Sequence, residues 1–188
     1  MKIVTVETMG ATRSSITLRS DSSILRNNDN FYLPRFSEDV VCSAGLLLRL
    51  TRLAKCVNAR FAPRCYDSIA VGVAFTARDV MQRAIAKGCP CDEAYCFDHS
   101  FAVSPDCVPA ESLGAGCVSM SLGGRRVEGS LAQIDIMLDE ALARASELMT
   151  LKTGDLVFVP LTEAAAVAEG DGVVVSLDGA EMLNFQIR

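Results

Sequence analysis

The chain has 188 residues, half of them hydrophobic and 22% charged, with a formal net charge of -5. That composition predicts a packed globule and excludes a disordered chain. No Lys/Arg run stands out and no stretch of 18 apolar residues occurs, so nucleic acid and membrane are not expected partners.

The opening "KIVTVE" reads as a first strand rather than a secretory signal, which points to the cytoplasm and to reduced thiols for the eight cysteines. "ATRSS" reads as a polar turn. Short extended pieces follow, with turn residues gathered at Asn27, Asn28, Asp29 and Asn30 and a stop at Pro34. From Val40 to Ala54 the pattern has period two, with Leu46, Leu48 and Leu50 on one face and Leu47, Arg49 and Thr51 on the other, predicting a strand. "ARFAPRCYDSIA" predicts a short helix or turn broken by Pro63, and "IAVGVAF" a buried strand. Thr76 is expected to cap a helix over "TARDVMQRAIAKG", with Gly88 as its stop.

"CPCDEAYCFDHS" then brings Cys89, Cys91 and Cys96 close to His99, the one histidine. Thiolate and imidazole suit zinc. The spacing does not: closed sites pair ligands as C-x2-C or H-x3-5-H, and Pro90 stiffens the first pair. The stretch therefore reads as three semi-buried thiols and a surface histidine. "GCVSMSLGGRRVEGS" predicts a hairpin turning at Gly123-Gly124. Ser130 is expected to cap the longest helix, from Leu131, whose apolar face is Leu131, Ile134, Leu138, Ala141, Leu142, Ala145 and Leu148. "KTGD" turns into the strand "LVFVP", and the chain closes with a hairpin turning at Asp178-Gly179. The pattern predicts one α/β (α+β) domain over 1–188, mainly β, with two principal helices. No phosphate loop and no G-x-S-x-G elbow is present.

From about Ile16 onward, "DSSILRNNDNFYLPRFS", "RFAPRCYDSIAVGVAFTARD", "AKGCPCDEAYCFDHS", "LKTGDLVFVP" and "EGDGVVV" follow one another in an order and spacing that resembles the fumarylacetoacetate hydrolase family. The resemblance implies a mainly β roll, commonly a homodimer. It also implies Mg²⁺, Mn²⁺ or Ca²⁺ acting as a Lewis acid on an enolisable ketone in C–C hydrolysis, decarboxylation, hydration or isomerisation. Such a cation needs hard oxygen ligands. The family supplies them from an E-x-E on a strand and an Asp two residues before its S/T-A-R-D. Here Ser43 and Gly45 stand at the Glu positions and Ala74 at the Asp position. Tyr95 replaces a family Lys, Met81 a Gln, Arg19 the Lys of the "FLKP" block, and Pro160-Leu161 the Gly-Thr of a substrate loop. Arg78 and Asp98 are retained.

The resemblance thus implies a family fold without its metal-dependent catalysis, no bound cofactor, and a role as a binding or interacting subunit, in a homodimer or in a heterodimer with an active relative. The alternative is a divergent keto-acid enzyme, with Arg19, Arg78 and Tyr95 holding a small anionic substrate and Glu128 or Asp98 as base. Restoring carboxylates at 43, 45 and 74 together is expected to restore divalent-cation binding.

Overall fold

The computed structural model describes residues 1–188 apart from 9–13, 27, 115 and 133. Most of the "ATRSS" turn and Asn27 therefore lie outside the described residues. In chain order the strands are β1 (Lys2–Thr8), β2 (Ser14–Ser20), β3 (Ile24–Leu25), β4 (Val40–Leu50), β5 (Tyr66–Ala77), β6 (Phe101–Pro109), β7 (Cys117–Leu122), β8 (Arg125–Ser130), β9 (Leu156–Pro160), β10 (Ala165–Ala166), β11 (Gly172–Leu177) and β12 (Ala180–Gln186). The helices are α1 (Arg78–Lys87), the one-turn α2 (Asp92–Tyr95) and α3 (Ile134–Leu148). The mixed, mainly β architecture is the expected one.

One sheet runs β2-β1-β9-β4-β5-β6-β3, with β10 also on β4; a second runs β12-β11-β7-β8. In the large sheet β2 and β3 stand at opposite ends, yet only the 3-10 turn Asp21–Ser23 separates them in the chain. The sheet must therefore curl until its two edges meet, which makes a roll.

Alternation along each strand divides the side chains between two faces. Ile3, Ile24, Leu47, Ala70, Ala74, Phe101, Leu156 and Phe158 cluster inside the curl. On the outer face Leu46, Leu48, Val71, Val73, Phe75 and Val157 join a larger core with α3 and the inner face of the second sheet. Phe31 stacks flat on Phe75 at 3.8 Å there. Because β4 is covered on both faces, Leu47 is buried as well as Leu46 and Leu48. This explains the near-continuous apolar run "LLLRL".

Several local expectations shift. β4 ends at Leu50 rather than Ala54. Thr76 and Ala77 stay in β5, in the ladder with Val41 and Val40, so α1 starts at Arg78 without a side-chain cap. Asp79, three residues after Thr76, accepts from Ser37 Oγ and pairs with Arg83. Gly88 does end α1, at φ 65°, with its N–H on Ile85 O and the Cys89 N–H on Ala84 O. That is the Schellman pattern, and it gives Cys89 a backbone role. Ser130 closes β8 and its Oγ accepts from Ala132 N, while α3 begins only at Ile134. Leu148, expected on the apolar face, is 55% exposed, while Ala145 on the same turn is fully buried. Both hairpins turn where expected, with positive φ at Gly123, Gly124, Asp178 and Gly179.

Candidate functional site

Ser43 and Ala74 are direct cross-strand partners in the antiparallel β4–β5 ladder, and Gly45 pairs with Gly72 two positions on. All lie on the inner face at one mouth of the roll. Ala74 also faces Phe101 in β6, and Gly45 faces Pro160 in β9. The three positions inferred from the family pattern thus converge.

Convergence does not make them ligands. A Cβ on Gly45 would stand 2.1 Å from Val159 O and 2.7 Å from Pro160 Cα. Backbone occupies the space a side chain would need. The Pro160 segment is strapped there: Leu161 N and Thr162 N both donate to Ala44 O, at 2.9 and 3.0 Å, and Ala44 N donates to Thr162 Oγ1 at 2.9 Å. Ser43 offers one hydroxyl and Ala74 a methyl. Among the described residues no group of three or more His, Cys, Asp or Glu could hold a metal ion. These positions do not fit a hard divalent cation, which requires several oxygens, most of them anionic. For carboxylates at 43, 45 and 74 to bind a cation, the one at 45 could enter only if the 159–160 backbone moved.

A buried cation stands beside this mouth, against the neighbours of Ala74. Arg19, on β2, is 3% exposed. Its Nη1 donates to Phe75 O (2.9 Å), Ser100 Oγ (3.1 Å), Ser100 O (3.4 Å) and Tyr95 O. Its guanidinium lies 5.9 Å from the ring centres of both Tyr95 and Phe101. Its Nε has no hydrogen-bond partner, and no carboxylate reaches ion-pair distance among the described residues. Burial pulls its pKa down to about 10, against the opposing fields of Cys96, Glu7 and Tyr95. Arg19 remains charged at neutral pH. Thr5, 2% exposed on the adjacent β1, carries a second orphaned polar atom, its Oγ1.

Phe101 and Phe158 fill the middle of the roll edge to face, with centroids 4.9 Å apart at 84°. Gly72 makes room for them: a Cβ there would meet Phe101 Cζ at 2.9 Å and Phe158 Cε2 at 3.3 Å. Sequence reasoning missed both rings, Thr5 and Ser100. The strand "LVFVP" is apolar throughout, so only the curl shows that Phe158 faces Phe101.

The remaining predicted residues divide. Tyr95 Oη reaches Met81 Sδ at 3.0 Å, in a small cluster with Ala77, Val80 and Ala94. Burial pushes the Tyr95 phenol up, as do Cys91, Glu7 and Asp92, while Arg19 opposes them. Arg19, Tyr95 and Met81 are therefore brought together. Arg78 instead grips Asp39 through Nε (2.7 Å) and Nη2 (2.9 Å) on the surface. Asp98 is exposed in the turn before β6. Glu128 lies on β8 in the second sheet, exposed and paired with Arg126 at 2.8 Å.

Cys89, Cys91 and Cys96 line one shallow cleft with Arg83 and Lys87. Cys96 Sγ accepts from Ser20 N at 3.3 Å and lies 3.9 Å from Ser23 Oγ. Burial works to raise the Cys96 pKa. The Ser20 N–H, the Ser20 and Ser23 hydroxyls and the Arg19 charge outweigh it, so the thiol falls below the ordinary range. His99, at φ 62°, donates its backbone N–H to Ser22 O.

The family model for the fumarylacetoacetate (FAA) hydrolase C-terminal domain matches residues 5–188. An uncharacterized protein of Pyrococcus horikoshii is 24% identical over 176 residues, covering 92% of this chain and 76% of the relative. Fumarylpyruvate hydrolase from Pseudomonas aeruginosa, solved with Mn²⁺ and pyruvate, superposes with a TM-score of 0.87 at 19% identity, over 100% of this chain and 89% of that one. A 2-hydroxyhepta-2,4-diene-1,7-dioate isomerase from Mycobacterium marinum superposes at 0.82 with 20% identity, over 99% and 73%. At these identities the superpositions establish the fold.

Proposed function

Given that this chain belongs to the fumarylacetoacetate hydrolase family, we propose that it keeps the family's roll without metal-dependent catalysis at the family's metal position. In this reading it serves as a binding or interacting subunit, with itself or with an active relative. One observation carries the proposal. Gly45 has backbone at 2.1 Å where a ligand side chain would start, beside a hydroxyl at 43 and a methyl at 74. A Lewis acid there would have neither its ligands nor a charge to balance it.

Arg19 favours a second reading. A buried cation without an ion-pair partner, its Nε unsatisfied, suits a small anion at this mouth. A divergent enzyme would bind a keto acid through Arg19 and Tyr95, without the family's cation. Arg78 is committed to Asp39 and Glu128 to Arg126, which leaves Asp98 as the base in that reading.

Turnover of acylpyruvates and oxaloacetate by the purified protein, with and without EDTA, separates these readings. No turnover in either case supports the non-catalytic reading. EDTA-resistant turnover abolished by Arg19→Met supports the second. EDTA-sensitive turnover at the rates of active family enzymes overturns both.

A further inference from the structure

The roll has another mouth. Past the Phe101–Phe158 pair, at the end of the strands away from Ser43 and Ala74, a cleft of about 290 Å³ opens. Its floor is apolar: Ile24, Leu47, Ala70 and Leu156, all from the inner cluster. The sheet is irregular here. The β4–β5 register slips between Leu48 and Leu50, and the β5–β6 register slips between Ala70 and Gly72. Val71 N consequently leaves the ladder for Ser104 Oγ at 3.1 Å, and Ser104 Oγ donates onward to Asp106 O at 2.7 Å. Bulges bend and splay strands, and these two hold the mouth open.

The rim carries Arg26 and Arg49, both exposed, against a single Asp106. Neither arginine forms an ion pair among the described residues. In a chain of net charge -5, a mouth with two unpaired guanidinium groups over an apolar floor is a local exception. Guanidinium binds carboxylate through a planar, two-pronged hydrogen-bonded pair, while the floor would cover an alkyl chain. The volume lies at the lower limit of small-molecule pockets, which restricts the guest to one chain of medium length.

We infer that this second mouth binds a medium-chain aliphatic carboxylate, its chain on Ile24, Leu47, Ala70 and Leu156 and its head group on Arg26 and Arg49. The site is separate from the Ser43–Ala74 mouth and independent of whether catalysis survives there.

Cys107 on the rim, exposed and free, is a built-in reporter. Titration calorimetry of the full chain with octanoate, octan-1-ol, acetate and octyl phosphate tests the proposal. Peptide-resolved iodoacetamide labelling of Cys107 and Cys89 is run alongside. Octanoate is expected to bind and to slow labelling of Cys107 but not Cys89. Octanol and acetate, each lacking one half of the recognition, should bind at least about tenfold more weakly. Arg26→Ala with Arg49→Ala should cost roughly tenfold or more in octanoate affinity. If that variant does not fold, Cys107 protection in the native chain decides. Octanoate binding unaffected by loss of both arginines, or equal binding of octanol, overturns the assignment. Binding of octyl phosphate with octanoate ignored overturns the carboxylate. Shielding of Cys107 by concentration-dependent dimerisation alone would make the mouth an interface and overturn the ligand.

Discussion

Replacing Gly45 by alanine adds one carbon where Val159 O stands at 2.1 Å and Pro160 Cα at 2.7 Å. Both obstructing atoms are backbone, so no rotamer change relieves the clash. Either β4 or the 159–162 segment must move. Overpacking of this kind costs about 3 kcal/mol. Losing one of the strap hydrogen bonds at Ala44 adds about 1 kcal/mol. The total of roughly 4 kcal/mol is a large part of a typical reserve of roughly 5–15 kcal/mol. At about 2–4 °C per kcal/mol for a chain of this size, the melting point should fall by roughly 10 °C. The sign is diagnostic, because Gly→Ala at a permissive position stabilises by about 0.4–1 kcal/mol through the unfolded chain. Gly114, with nothing within 4 Å of a Cβ and no positive φ, is the matched control and should be neutral or slightly stabilised. Urea denaturation of both variants measures the difference at constant m. Gly45→Ala within about 0.5 kcal/mol of the parent would refute the claim that this position cannot carry a side chain.

Asp155, buried and held by Lys152 N–H and by the Lys2 ammonium and N–H, is a pH-dependent tie between β1 and the turn before β9. Burial works to raise its pKa, but those donors outweigh it and hold it below the ordinary carboxylate value. Its contribution is therefore complete above the unfolded carboxyl's pKa and is lost as pH falls through the lower folded value. Asp155→Asn should cost about 2 kcal/mol at neutral pH and progressively less in acid; denaturation curves parallel at every pH would contradict this. Cys96 should be alkylated several times faster than Cys89 near neutral pH, roughly twofold to tenfold, and Arg19→Met should reduce that advantage. Peptide-resolved labelling rates check both, and Cys96 reacting at or below the rate of Cys89 would refute it.

Local signals in the sequence carried most of the strands, the two longer helices and both glycine turns, but not β6 or β10. The convergence of positions 43, 45 and 74 followed from family spacing and strand alternation together, and the β4–β5 register agrees. What failed was nonlocal. Thr76 has a good capping sequence, but the ladder with β4 keeps it extended, and tertiary pairing overrides local preference. Arg19 sits in an alternating stretch where a charged residue ordinarily faces water. Only closure of the roll reveals that it faces inward, onto the carbonyls of Phe75, Tyr95 and Ser100. Gly45 looked like a lost glutamate, and its tight contact with the 159–160 backbone depends on β9, more than a hundred residues away in the chain. Arg78 as a substrate-binding charge and Glu128 as a base are plausible in sequence, but the structure pairs them with Asp39 and Arg126.

The most direct test of the proposed loss of metal binding at positions 43, 45 and 74 is elemental analysis of the purified chain, followed by thermal melts with added Mn²⁺ and with EDTA. A native-state ligand at about 100 times its dissociation constant stabilises by about 2.7 kcal/mol, a shift of several degrees at this size. The geometry at Ser43, Gly45 and Ala74 predicts no Mg, Mn, Ca or Zn near one ion per chain and the same melting point in all conditions. One ion per chain, removed by EDTA with a matching fall in melting point, would contradict it.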